Sequence, residues 1–173
     1  MFKKLASPRA IFVSVYAVFL AAYIIIGLQP VSATSTNTFI GTLSIPSINL
    51  ETNVTKLTLK DNQLQIPDDV VGEFHTSKKN HLLLGHSTTI FRDLENLDIG
   101  DTVYYGESQY IISTEEIKDK DQVNMKELLK NTGAEKITLM TCAGELLDNQ
   151  DATKRLIITA EKVNQSIGVN KWI

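Results

Sequence analysis

The segment EKITLMTC (135–142) is a run of β-branched and long apolar residues with no Gly or Pro inside it, the composition of a strand. Strand alternation sends Ile137, Leu139 and Thr141 to one face and Thr138, Met140 and Cys142 to the other. RLIITAEKV (155–163) has the same character, with Leu156, Ile158 and Ala160 opposed to Arg155, Ile157 and Thr159. If the two strands pair, Cys142 and Arg155 project to one side, away from Leu139, Leu156 and Ile158.

Outward from this pair the chain is a series of short β runs bounded by turn residues. FIGTLSI (39–45) ends at Pro46, ETNVTKLTL (51–59) at Lys60-Asp61-Asn62, and LQI (64–66) at Pro67. HLLLG (81–85), DTVYY (101–105) and QYIIST (109–114) follow, the last two joined by a hairpin turn at Gly106-Glu107-Ser108. Two segments read as brief helices. Thr88 or Thr89 caps one, with Phe91, Leu94 and Leu97 on a face and Gly100 after it; Asn124 caps MKELLKN, ended by Gly133. Short strands with two small helices predict a mainly β domain, a small barrel or sandwich. There is no internal repeat and no second domain.

The whole chain has 173 residues, with 17 Lys+Arg against 20 Asp+Glu and 43% hydrophobic residues. That is too apolar for wholesale disorder. A pI near 5.6 argues against a dedicated nucleic-acid binder, which shows a basic face. A single cysteine, Cys142, excludes a scaffold stapled by intrachain disulfides.

The charge is unevenly spread. Residues 11–28 read IFVSVYAVFLAAYIIIGL, 18 positions without a charge, enough to nearly cross a hydrocarbon core of about 30 Å. Lys3, Lys4 and Arg9 precede the run and no charge follows before Glu51. The positive-inside rule therefore predicts a cytoplasmic N-terminus at 1–10, a transmembrane signal-anchor at 11–28, a flexible tether at 29–38 and an extracellular domain at 39–173. The competing reading is a signal peptide cleaved after Ala33, in which case the domain is secreted; the apolar run exceeds the usual length of such a segment. All 20 acidic residues and 14 of the 17 basic ones lie beyond residue 33, a charge of −6.

A free cysteine is most often a small buried hydrophobe. Cys142 differs in ending a strand just before Ala143-Gly144, and in lying in a compartment where an idle thiol is an oxidation liability. A cation on its face, Arg155, stabilises a thiolate or a developing oxyanion. A thiol nucleophile also needs an imidazole to move protons. His86 has the same presentation as Cys142, at the end of HLLLG and after a glycine. His81 opens that strand and His75 lies in a polar loop, FHTSKKN; both read as surface or satisfied core residues.

These residues carry a resemblance. Thr138-Leu139-Met140-Thr141-Cys142 resembles the TLxTC signature of sortases, the membrane-anchored cysteine transpeptidases of bacterial surfaces. Gly85-His86 is similar to their Gly-His at a strand end, and Arg155, opening the last strand, to their site arginine. Leu43-Ser-Ile-Pro46 resembles a first-strand LxIP element, and Phe91-Arg-Asp-Leu94 with Leu97-Asp-Ile-Gly-Asp101 resembles the stretch after the catalytic histidine. The likeness covers about residues 39–163 and implies a closed β-barrel of about eight strands. It implies catalysis by Cys142, His86 and Arg155, with Thr141 and Arg155 assisting at substrate or oxyanion. It further implies LPxTG-like surface-protein substrates, an amine acceptor such as a peptidoglycan precursor or a pilin lysine, and no required cofactor.

The short tether lacks the inhibitory lid of class C, and only NMKELLKN precedes the cysteine strand where class B has a larger helical insertion. The chain therefore resembles a minimal class A, D, E or F enzyme, and DNQLQIPDDV (61–70) is loosely similar to class F. Glu115, Glu116, Asp119 and Asp121 offer oxygen ligands for Ca²⁺, but without an EF-hand spacing they read as the solvated face of an acidic loop. The rival functions are another cell-wall cysteine peptidase and a non-catalytic, membrane-tethered β-domain with Cys142 in its core. Convergence of His86, Cys142 and Arg155 on one groove discriminates the catalytic readings from the last.

Overall fold

The structure is a computed structural model, described over residues 38–60, 63–77, 79–131, 133–147 and 151–164. The membrane span at 11–28, most of the tether and the cleavage site after Ala33 lie outside the described residues. Among those described, no helix is long and apolar enough to cross a membrane.

Ten strands are described: β1 (Phe39–Ile45), β2 (Leu50–Lys56), β3 (Leu59–Lys60), β4 (Gln63–Leu64), β5 (Val71–Ser77), β6 (Asn80–Leu84), β7 (Thr102–Tyr105), β8 (Ser108–Asp119), β9 (Lys136–Leu146) and β10 (Ala152–Lys162). Among the described residues eight of them close into a barrel in the order β1-β2-β5-β6-β9-β10-β8-β7, and β3 and β4 form a separate small ladder. Neighbours are antiparallel except β2–β5 and β6–β9, which are parallel.

The inward face carries the alternation read from the sequence. Ile137 and Leu139 of β9 and Leu156, Ile158 and Ala160 of β10 are buried in one core with Leu43, Ile45, Val54 and Leu83. HLLLG is apolar throughout because β6 is covered on both faces. Leu83 points into the barrel, while Leu82 and Leu84 pack outside it with Leu57, Ile66, Met125, Leu129 and Met140. This outer layer brings Leu57, Leu64 and Ile66 and the short helix α1 (Met125–Leu128) over β6 and β9. Asn124 caps α1, its side chain accepting from the Lys126 N–H at 3.0 Å, and Asn80 Nδ2 donates to Leu128 O at 2.6 Å.

Three local expectations are corrected. The Phe91 segment is not an α-helix: turns run from Ser87 to Asp93 and a 3-10 turn covers Leu94–Asn96. Its apolar face is nonetheless correct, since Phe91, Leu94 and Leu97 are all buried. FHTSKKN is not a loop through His75, because β5 runs through Ser77 and is held by parallel pairing to β2 and antiparallel pairing to β6. The run containing Glu115, Glu116, Asp119 and Asp121 is not a loop up to Asp119 but the second half of β8, laddered to β10 as far as Lys154↔Asp119. Charged residues are poor strand formers alone; here the partner strand imposes the conformation. Glu116 pairs with Lys118 at 2.6 Å, and among the described residues no cluster of three acidic, His or Cys groups is arranged to hold a metal ion.

Candidate active site

Cys142 and Arg155 are direct cross-strand partners in the β9–β10 ladder. Their side chains therefore stand on the same face, with Cβ atoms about 5 Å apart by ladder geometry. Just beyond the cysteine the ladder shifts register, between the pairs Lys154↔Ala143 and Ala152↔Leu146. Gly144 sits in this irregularity at φ 76, and a Cβ there would stand 2.8 Å from Thr153 Oγ1. A bulge of this kind turns the strand away next to a site and ends regular pairing. Cys142 is half-buried and unpaired with any other thiol.

His86 reaches the same place from β6. Since β6 runs parallel to β9 with Leu84↔Met140 as the last pair, the residues just past it arrive beside Cys142. The turn that follows folds back under the histidine, with Thr89 N–H and Phe91 N–H donating to His86 O at 3.2 and 3.0 Å. Gly85 is required by this close return: a Cβ at that position would lie 2.7 Å from both Ile90 Cγ2 and Phe91 Cδ2. Thr141 fixes the spacing of the two strands, its buried hydroxyl donating to Gly85 O at 2.8 Å. The hydroxyl has one proton to give, and it is committed there.

The three side chains converge on one cleft. A space of about 220 Å³ is lined by His86, Cys142 and Arg155, with Ile66, Met140 and Asp151 among its walls. A second space of about 330 Å³ opens on the other side of the thiol, walled by Ser87, Arg92, Glu95 and Ile117, and Thr141 and Cys142 line both. The cysteine thus stands where two clefts meet, accessible from either.

Local polar contacts orient the imidazole and the guanidinium. His86 Nε2 is 3.2 Å from Ile66 O and 3.6 Å from the exposed Asp68 carboxylate. With Nε2 carrying its hydrogen toward Ile66 O, Nδ1 is left with a lone pair. Arg155 is only 16% exposed, and its Nη2 meets Asp151 Oδ1 at 2.6 Å. Lys120 also pairs with Asp151. The Asp151 carboxyl is held well below the usual carboxylate range, first by Lys120, then by the Ala152 N–H, then by Arg155.

A family model of the sortase domain matches residues 43–163. The chain belongs to the sortase family. It is similar to sortase A of Bacillus anthracis, 28% identical over 130 residues that cover 72% of this chain and 60% of that protein, so the match spans less than two thirds of the relative. The fold is shared with the solved sortase A of Listeria monocytogenes, at TM-score 0.58 and 20% identity over 74% of this chain and 89% of that one. Sortase C of Clostridium perfringens SM101 is similar at TM-score 0.56 and 23% identity, over 73% of this chain and 70% of that one.

For this sortase, sequence reasoning singled out His86, Cys142 and Arg155, and the fold brings these three to one cleft. It missed Asp151, although a carboxylate four positions before Arg155 was visible. It also missed Ile66 and Asp68, whose contact with His86 depends on the outer layer and has no local signal. His81, read as a surface or satisfied core residue, has its Nδ1 2.6 Å from Glu73 Oε1.

Proposed function

We propose that this protein is a cysteine transpeptidase acting on LPxTG-like sorting signals through a thioacyl-enzyme. The observation that carries the reading is the meeting of Cys142, His86 and Arg155 in one cleft. The Cys142 thiolate attacks the Thr–Gly carbonyl carbon, and the electron pair moves onto the oxygen. Arg155 and a backbone N–H near Cys142 stabilise that oxyanion. Collapse breaks the C–N bond while imidazolium His86 protonates the departing amine, leaving a thioester. In the second half an incoming amine attacks the thioester, His86 takes its proton, and Cys142 leaves as thiolate. Thr141 enters this scheme by holding the cysteine strand to the residue before His86. No metal or organic cofactor is needed for any step.

The acceptor is an amine of the cell envelope, a peptidoglycan precursor or a pilin lysine, and the domain works from the outer face of the membrane behind its N-terminal anchor. The test incubates the purified full chain with an LPxTG-type peptide, with and without added amine. Mass spectrometry should find the acyl fragment on Cys142 and, with amine present, the exchanged product. Undiminished turnover by Cys142→Ala would sink the mechanism.

A further inference from the structure

Arg155 does not hang freely in the cleft. Its Nη1 donates to Ala152 O at 2.9 Å and Lys154 O at 2.8 Å, and its Nη2 donates to Asp151 Oδ1 at 2.6 Å. Three of the five guanidinium hydrogens are therefore engaged. Among the described residues, the Nε hydrogen and the second Nη2 hydrogen remain for a ligand. Asp151 is itself fixed: its Oδ1 accepts from the Ala152 N–H at 2.8 Å, and its Oδ2 pairs with Lys120 from the turn after β8. Asp151 also lines the cleft that holds Cys142 and His86.

We propose that Asp151, braced by Lys120, is a positioning residue that presets the Arg155 guanidinium for the reaction at Cys142; this rests on the transpeptidase reading above. An arginine side chain has about 2 kcal/mol of rotamer entropy to lose on being fixed. A guanidinium ordered in advance meets the developing oxyanion without that loss. The carboxylate also compensates the arginine charge in a half-buried place while leaving two donors open. Lys120 keeps Asp151 from swinging with its partner, since it draws the second oxygen toward β8. The pairing of β8 to β10 at Lys154↔Asp119 places that lysine next to the end of the cysteine ladder. The acidic run that offered ligands for calcium thus contributes a cation, Lys120, instead.

The experiment uses the full chain in detergent, labelled at arginine carbon and nitrogen, with wild type compared to Asp151→Asn, Asp151→Glu and Lys120→Met. Rotation of the Arg155 guanidinium, read by NMR, should be slow in wild type and about tenfold faster in Asp151→Asn, as for loss of a charge-assisted hydrogen bond. With an LPxTG-type peptide, Asp151→Asn should lose about tenfold in kcat with KM within about twofold, the signature of an interaction made in the transition state. Asp151→Glu should recover most of that loss, and Lys120→Met should lose about threefold or less, as exposed pairs do. Asp151→Asn with wild-type rotation and wild-type kcat overturns the proposal. So does an equal loss in the Asn and Glu variants that follows their melting temperatures, because the role is then structural only. A wild-type chain that turns over no such peptide overturns the functional reading, and guanidinium rotation alone then decides whether Asp151 positions Arg155.

Discussion

A histidine lies at the start of strand β6 and another just past its end, and the two meet opposite fates. His81, in its first turn of pairing, lies against a buried carboxylate: Glu73 takes the His81 Nδ1 contact on Oε1 and accepts from Tyr105 OH on Oε2 at 2.7 Å. The His81 ring also packs edge-on against Tyr105 at 5.2 Å. Beside it Glu135 accepts from Tyr110 OH and Lys162 Nζ, both at 2.8 Å. Burial, then the Glu73 hydrogen bond, push the Tyr105 phenol far above its ordinary range. Burial opposes ionisation of Glu135, yet Lys162 and Tyr110 together hold its carboxyl below the usual value. His86, five residues on and past the end of the strand, is 38% exposed, and its carboxylate neighbour is 93% exposed. One end of the barrel closes its polar groups on one another; the other leaves thiol, imidazole and guanidinium facing an open cleft. Satisfied polar clusters add stability and specificity to a fold, whereas partly open ones are available to react.

That contrast can be broken at either end. Cys142→Ala should lose at least about a thousandfold in transpeptidation while leaving the melting temperature nearly unchanged. His86→Gln should lose about a hundredfold or more in kcat, again with little change in stability, whereas His81→Gln should do the reverse. If His81→Gln proved as inactive as His86→Gln while still folded, the division between the two ends would be wrong. Among stability effects, Glu73→Ala should be the largest, about 3 kcal/mol in denaturant unfolding, because it removes the buried carboxylate that His81 and Tyr105 both contact. Thr141→Val keeps shape and removes only the bond to Gly85 O. It should cost about 1 kcal/mol and lower kcat severalfold by loosening the spacing of Cys142 and His86.

The smallest effect concerns acid. Because the Asp151 carboxyl is depressed in the folded state, its contribution to stability is present above the unfolded carboxyl value near 3.9 and lost as pH falls through the folded one. Unfolding followed by denaturant between about pH 5 and pH 3 should show the wild-type advantage over Asp151→Asn shrinking as pH drops. A constant difference across that range would show that the ion pair does not carry it.

Much of this was legible in local sequence. The alternation in KITLMTC and RLIITAEK separates a core face from a reactive one, and it put Cys142 and Arg155 on the same side given only that the strands pair. His86 was marked by its place after an apolar strand and a glycine. What local reading missed has a common cause. β5 contains Gly72, Glu73 and His75, and the far half of β8 contains Glu115, Glu116, Lys118 and Asp119. Neither has an apolar period, and both are strands because a neighbouring ladder satisfies their backbone. The Phe91 segment had a helical spacing of apolar residues, but the tight return beneath Gly85 holds it in turns.

The sequence by itself therefore determined which side chains are available for the proposed chemistry and which face of each strand they occupy, since alternation is a property of the chain alone. Only the tertiary structure decided that β6 lies parallel to β9, so that His86 and Cys142 arrive at the same end of the barrel. It alone also decided that Asp151 and Lys120 close around Arg155. Those are contacts between residues distant in sequence, fixed by which strands share hydrogen bonds, and no local propensity encodes that choice.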